Sequence, residues 1–142
     1  MLSQTAEYAL RAILFLADYE GTLLAIPVIA KGTHVPAGYL SKVLQSLRRA
    51  NLVHSQRGKK GGFMLQRDPE NITLQEVISA VHPSRHREQC PLRSSGSCPK
   101  YDHMPEGQRP KLCPLHSMLL EMSQSMEKHF SEVSIKRFQV TV

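Results

Sequence analysis

The stretch between residues 25 and 67 constrains the fold most, because its glycines and prolines leave few places for regular structure to start or stop. Residues 25–31 carry Ile26, Ile29 and Ala30 at helical spacing and read as a short helix. Gly32-Thr33-His34-Val35-Pro36 follows as a turn. Pro36 suits the first turn of a new helix, where its missing N–H costs nothing. That helix is expected to run to about Ala50, with Leu40, Val43, Leu44 and Leu47 inward. A short helix, a tight turn containing glycine and a longer helix is the helix-turn-helix order. Leu52-Val53-His54-Ser55 and Phe63-Met64-Leu65-Gln66-Arg67 then read as strands around Arg57-Gly58-Lys59-Lys60-Gly61-Gly62. Three glycines in six residues call for backbone angles that side chains resist, as a hairpin tip does. The hairpin is expected to form a wing.

The flanking segments fit around this frame. Ala6, Ala9, Leu10, Ile13, Leu14, Leu16 and Ala17 mark one face of a first helix over residues 3–19, stopped by Gly21. Thr73-Leu74-Gln75-Glu76 is a capping box, with Ile72 and Val77 as its hydrophobic staple, so a helix is expected from Leu74 to about Val81. Residues 84–112 are rich in Pro, Gly, Ser and charge and read as loop. Leu115, Met118, Leu119, Met122, Met126, Phe130 and Val133 mark one face of a last helix. Their steps of three and four match a coiled-coil seam, which favours a homodimer through this helix over packing on its own domain. The pattern gives the tail beyond Phe130 no place. The fold class is mainly α with a small β-hairpin. Its divisions are a winged helix-turn-helix domain over residues 1–82, a cysteine-rich loop over 83–114, and a dimerisation helix with its tail over 115–142.

The charge is unevenly placed. The 142-residue chain has a net charge of +6. Lys31, Lys42, Arg48, Arg49, Arg57, Lys59, Lys60 and Arg67 fall within residues 31–67, where there is no Asp or Glu. Such a block can be a solvated face, but on a helix-turn-helix it points to nucleic-acid phosphates. No apolar run is long enough to span a membrane, and the N-terminus lacks the order of a signal peptide. A cytoplasmic location is expected, where thiols stay reduced.

All three cysteines lie between residues 90 and 113, spaced Cys90-x7-Cys98-x14-Cys113, and Cys113-x2-His116 closes the pattern. Clustered thiols in a reducing compartment favour metal over disulfides. Thiolates suit both zinc and iron–sulfur clusters. Structural zinc usually shows short knuckles, which are missing here, and the long gaps wrap a cluster more comfortably than a single ion. Each cysteine precedes proline, which is familiar from ferredoxin-type ligation. Spacing alone favours a cluster over zinc without deciding between them.

Several motifs in order make the chain resemble the winged-helix regulators typified by IscR and NsrR, dimeric bacterial transcription factors that often carry an iron–sulfur cluster. They are Ala6-Glu7-Tyr8-Ala9-Leu10-Arg11, Gly38-Tyr39-Leu40, Leu47-Arg48-Arg49-Ala50-Asn51-Leu52-Val53, Arg57-Gly58-x-x-Gly61-Gly62-Phe63, Ile72-Thr73-Leu74-x-Glu76-Val77 and Cys113-Pro114-Leu115-His116. The resemblance implies that the third helix enters the major groove and the wing the minor groove. Gly38, Tyr39, Ser41 and Lys42 would then meet base edges or phosphates. Arg57 would suit a narrow minor groove. Arg48, Arg49, Lys59 and Lys60 would neutralise phosphates. Ser41 stands where some family members have an acidic residue that reads bases, so a different operator is implied.

By the same resemblance, Cys90, Cys98 and Cys113 match the family's three cluster cysteines, although the family's gaps are typically shorter. The fourth ligand is open. His116 matches the histidine of one branch, or is simply polar at a helix start. Glu7 matches an acidic residue that reaches the cluster from the partner subunit in another branch, or pairs with Arg11 at i, i+4. The two options lean towards different nuclearity, a two-iron or a four-iron cluster.

The function implied is a DNA-binding transcriptional regulator, a repressor by preference, switched by a cluster that senses nitric oxide, oxygen or iron supply. A competing reading is a small iron–sulfur or zinc protein with an electron-transfer or structural role and only non-specific DNA affinity. The capped winged-helix order argues against it. No paired carboxylates, nucleophile motif or phosphate-cradling loop suggests an enzyme.

Overall fold

Ser3 opens the first helix by accepting the Ala6 amide at 3.1 Å, which satisfies one of the orphan N–H groups of a helix start. The helix, α1, spans Gln4–Asp18 and buries Ala6, Ala9, Ala12, Ile13, Leu16 and Ala17. The remaining elements are α2 (Ile26–Thr33), α3 (Ala37–Arg49), β1 (Val53–Gln56), β2 (Gly62–Leu65), α4 (Leu74–Val81) and α5 (Pro114–Ser131). Single 3-10 turns occupy Pro69–Asn71 and Ile135–Phe138. The computed structural model describes residues 2–82, Pro105 and residues 114–140. It divides into two units: described residues 2–82 with 130–140 form the first, and α5 up to His129 belongs to the second. The expected loop over 84–112 lies outside the described residues apart from Pro105.

In the first unit α2, α3 and α4 all pack on α1. Leu40, Val43, Leu44 and Leu47 of α3 are buried, as their spacing predicts. They meet Ile13, Leu16, Ile29, Leu52, Ile72 and Val77 in one core. Each large side chain fully removed from water contributes about 1.5–3 kcal/mol before the cost of ordering the chain.

Gly32 is not in the turn. It stays inside α2, where a Cβ would lie 2.2 Å from the Phe15 ring. The glycine therefore serves the close approach of α2 to α1, and the left-handed residue of the turn is His34, at φ 56°. Pro36 stands one position earlier than expected, as the N-cap of α3.

The strands are antiparallel and pair from Val53↔Leu65 to Gln56↔Gly62. Each differs slightly from its expected span. Leu52 donates its amide to Leu47 O at 3.0 Å, closing the end of α3 beside left-handed Asn51, so the ladder begins at Val53. A further rung joins Leu24 and Phe63, which exchange N–H···O bonds of 2.9 and 2.8 Å.

The α4 capping box forms as its spacing predicts. The Thr73 side chain accepts from the Glu76 amide at 3.2 Å, and Glu76 Oε2 accepts from the Thr73 amide at 2.9 Å. Arg67 Nη2 donates to the other Glu76 oxygen at 2.9 Å. The tail has a definite place. Residues 133–140 return to the first unit, Ile135 enters the core with no exposure, and Thr73 and Ser134 form an antiparallel bridge.

Partial burial raises the Glu76 pKa, but the Thr73 amide, the Arg67 hydrogen bond and charge, and the Thr73 hydroxyl outweigh it and leave the carboxyl below its ordinary value. Stability from this group is thus fully present above the unfolded glutamate pKa of about 4.3 and is lost as pH falls through the lower folded value. Urea denaturation is expected to show Thr73→Ala costing about 1 kcal/mol at neutral pH. Glu76→Gln is expected to flatten the acid-side decline in stability.

Candidate nucleic-acid interface

The core stripe of α3 decides which of its side chains face outward. With Leu40, Val43, Leu44 and Leu47 buried, Gly38, Tyr39, Lys42, Arg48 and Arg49 are exposed, and Tyr39 shows 60% of its surface. Tyr39, Lys42, Ser46 and Arg49 follow one another at steps of three and four along one row. Gly38, Ser41, Gln45 and Arg48 form the neighbouring row. Ser41 is half-buried, unlike the others expected at the start of this helix. Pro36, the N-cap of α3, makes no side-chain cap hydrogen bond. A Cβ at Gly38 would meet nothing within 4 Å, so packing does not demand a glycine there.

Two supports of this face escape a reading of the sequence. The Tyr8 ring of α1 lies against Tyr39, with centroids 6.1 Å apart and planes at 55°. Gln4 donates to the Tyr8 hydroxyl at 2.9 Å. Gln45 brings no charge but accepts from Arg48 Nη1 at 3.5 Å, the outer limit of a hydrogen bond. Tyr8 stands inside one of the family-like motifs, yet only the tertiary approach of α1 to α3 reveals its partner.

The hairpin tip carries Arg57, Lys59 and Lys60, all exposed. Gly58 holds φ at 111°, and Gly61 donates to Gly58 O at 3.0 Å, which turns the chain between the basic side chains. Arg67, the last cation of the basic block, is elsewhere. Its Nη1 donates to Asn71 O at 3.1 Å and its Nη2 to Glu76, so it braces the start of α4.

The candidate metal ligands are separated by what the structure describes. Cys90, Cys98 and Cys113 lie outside the described residues. His116 falls within α5, with its side chain also outside them. Glu7 is exposed and pairs with Arg11 at 2.5 Å, and Arg11 reaches Thr33 O at 3.4 Å. Among the described residues no group of three His, Cys, Asp or Glu could hold a metal ion. On α5, Leu115, Met118 and Met122 are exposed, while Leu119 and Met126 are half-buried. No described helix is long and apolar enough to cross a membrane.

Residues 2–139 match the family model Rrf2, described as an iron-dependent transcriptional regulator. The chain belongs to the Rrf2 family. A protein of Aquifex aeolicus (strain VF5), assigned as an HTH-type transcriptional regulator, is 29% identical over 136 residues, which is 96% of this chain and 89% of that one. The solved structure of T. potens IscR matches with a TM-score of 0.70 at 20% identity, covering 96% of this chain and 83% of that chain. CymR, titled the global cysteine regulator of B. subtilis, matches with a TM-score of 0.65 at 20% identity, over 96% and 93% of the two chains. The Rrf2 winged helix is thus shared by proteins with differently named regulatory roles. The protein is a helix-turn-helix transcriptional regulator of this family.

Proposed function

We propose that the protein is a homodimeric, cytoplasmic, sequence-specific DNA-binding repressor whose operator affinity is set by an iron–sulfur cluster. The observation that carries the DNA reading is the basic face of α3 together with the wing. Six exposed cations stand on them, and residues 31–67 contain no carboxylate side chain. Gly38, Tyr39, Ser41 and Lys42 meet the major groove, and Arg57 enters the minor groove. Arg48, Arg49, Lys59 and Lys60 neutralise phosphates. The exposed methionines and Leu115 on α5 support a second copy of the chain as the partner.

Cys90, Cys98 and Cys113 hold the cluster in this reading, with Glu7 of the partner subunit or His116 as the fourth ligand. Thiolates joined by one oxygen or nitrogen donor suit an iron–sulfur cluster. Such a cluster supplies a centre that responds to nitric oxide, oxygen or iron supply. Glu7 is available at small cost, because an exposed i, i+4 pair such as that with Arg11 is worth only about 0.2–0.5 kcal/mol. Ligation places folding free energy in the segment that follows α4 and precedes α5. Since half-site spacing on DNA follows from how two recognition helices are held, that segment is well placed to tune affinity.

Arg57→Ala is expected to cost about 1–3 kcal/mol on the operator and much less on random DNA. Lys59→Ala is expected to weaken both alike and to lower the salt slope by about one. Arg67→Ala is expected to lower stability while leaving that slope unchanged. Binding titrations at several salt concentrations check all three. Equal losses on operator and random DNA for Arg57→Ala would remove it from the specificity determinants.

The switch is tested by operator affinities of cluster-loaded protein, apo-protein and Cys98→Ala at one salt concentration. The loaded protein is expected to differ from the other two, which should agree with each other. Agreement of all three within about twofold, a difference of only ~0.4 kcal/mol, would show that the cluster is not the switch.

A further inference from the structure

Tyr39 stands in the first turn of α3, which starts at Ala37, and is the one aromatic side chain of that helix. A long helical side chain leans back over the turn before it, towards the residues three and four positions earlier. For Tyr39 those residues are Pro36 and Val35, which lie outside the helix. Its neighbour Gly38 has no side chain. Its own helix therefore gives the Tyr39 ring little to rest on.

The missing surface comes from α1. The centroid of the Tyr8 ring lies 6.1 Å from that of Tyr39, with the planes tilted by 55°. At that separation and tilt two aromatic rings attract each other beyond the area they cover. Tyr8 is itself fixed at two points. Its ring packs against the buried core of the unit. Its hydroxyl accepts the Gln4 side chain, one turn earlier on α1, at 2.9 Å. Tyr8 is half-buried and Tyr39 exposed, so an anchored ring steadies one that faces solvent.

We propose that Tyr8 is a positioning residue for operator recognition, whose ring holds the Tyr39 ring in the orientation that meets the major groove. The proposal rests on the reading of Tyr39 as a major-groove contact. A side chain that is already ordered loses less freedom when it binds. Only the specific complex requires Tyr39 in one orientation, because DNA bound without sequence preference is held by its phosphates. Tyr8 brings no cation to those phosphates, so its loss releases no salt dependence. Its effect is confined to discrimination between sequences.

The test uses the full chain and two duplexes, one enriched from random sequence by the unaltered protein and one unselected. Tyr8→Leu keeps apolar bulk against the core and removes the ring. It is expected to lower affinity for the enriched duplex by about fivefold, with affinity for the unselected duplex and the salt slope unchanged. Tyr8→Phe keeps the ring and is expected to bind the enriched duplex within about twofold of the unaltered protein. Beside Tyr39→Ala, Tyr8→Leu is expected to have no further effect, since a residue that acts only through another is silent once that other is gone. Equal losses on both duplexes, or a Tyr8→Leu loss that persists in full beside Tyr39→Ala, would make Tyr8 a support of the fold alone and overturn the proposal. If Tyr39→Ala reduces discrimination and Tyr8→Leu does not, the positioning role falls and the reading of Tyr39 stands. If Tyr39→Ala leaves the ratio of the two affinities unchanged, both fall together.

Discussion

The structure of the DNA-binding unit depends on one surface, the alanine-lined face of α1. Ala6, Ala9, Ala12 and Ala17 are fully or almost fully buried, and side chains this small let neighbouring helices come close. Three helices pack on α1, and Gly32 of α2 lies so near Phe15 that even a methyl group would collide. Close-packed protein interiors transmit a change at one helix to its neighbours. The outward rows of α3 are consequently set by what α1 buries on the other side. The basic face inherits its geometry from an apolar one.

The second constraint is the start of α4. Its capping groups come from three separated parts of the chain: Arg67 after the wing, Thr73 and Glu76 at the N-cap and first turn of the helix, and Val133 in the tail. Arg67 shows why cations cannot be counted as DNA contacts from sequence position alone. It belongs to the same acid-free run as Lys59 and Lys60, yet its guanidinium turns towards the carboxylate that the capping box has already oriented. That carboxylate lies beyond the run, in a helix of its own.

Features with local causes are legible in the sequence. The capping box needs only the Thr73 and Glu76 spacing, and the α3 stripe needs only its 3.6-residue period. Where sequence and structure differ, a long-range partner decides. Gly32 resembles a turn residue until Phe15 is brought against it. The strand beginning at Val53 moves by one residue because α3 claims the Leu52 amide. The tail has no legible place, since Val133, Ile135, Phe138 and Val140 are interspersed with polar residues in no clear period and the acceptor of the Ile135 amide, Ile72 O, comes from far upstream. Tyr8 is visible as part of a motif, but its ring contact with Tyr39 depends on how α1 crosses α3. Of the proposed metal ligands, only the Glu7 side chain is described, and it shows the Arg11 pair that the i, i+4 spacing allows.

The central claim is that a basic winged helix and a thiol-rich segment form one iron-responsive regulator. The most direct measurement is the visible absorption spectrum of the protein purified without oxygen, taken with its iron, sulfide and zinc content. Cys90, Cys98 and Cys113 holding a cluster predict sulfide-to-iron charge-transfer bands, with iron and acid-labile sulfide in equal amounts. A colourless protein containing zinc and no iron would contradict the claim, because the same thiolates would then be holding a single closed-shell ion.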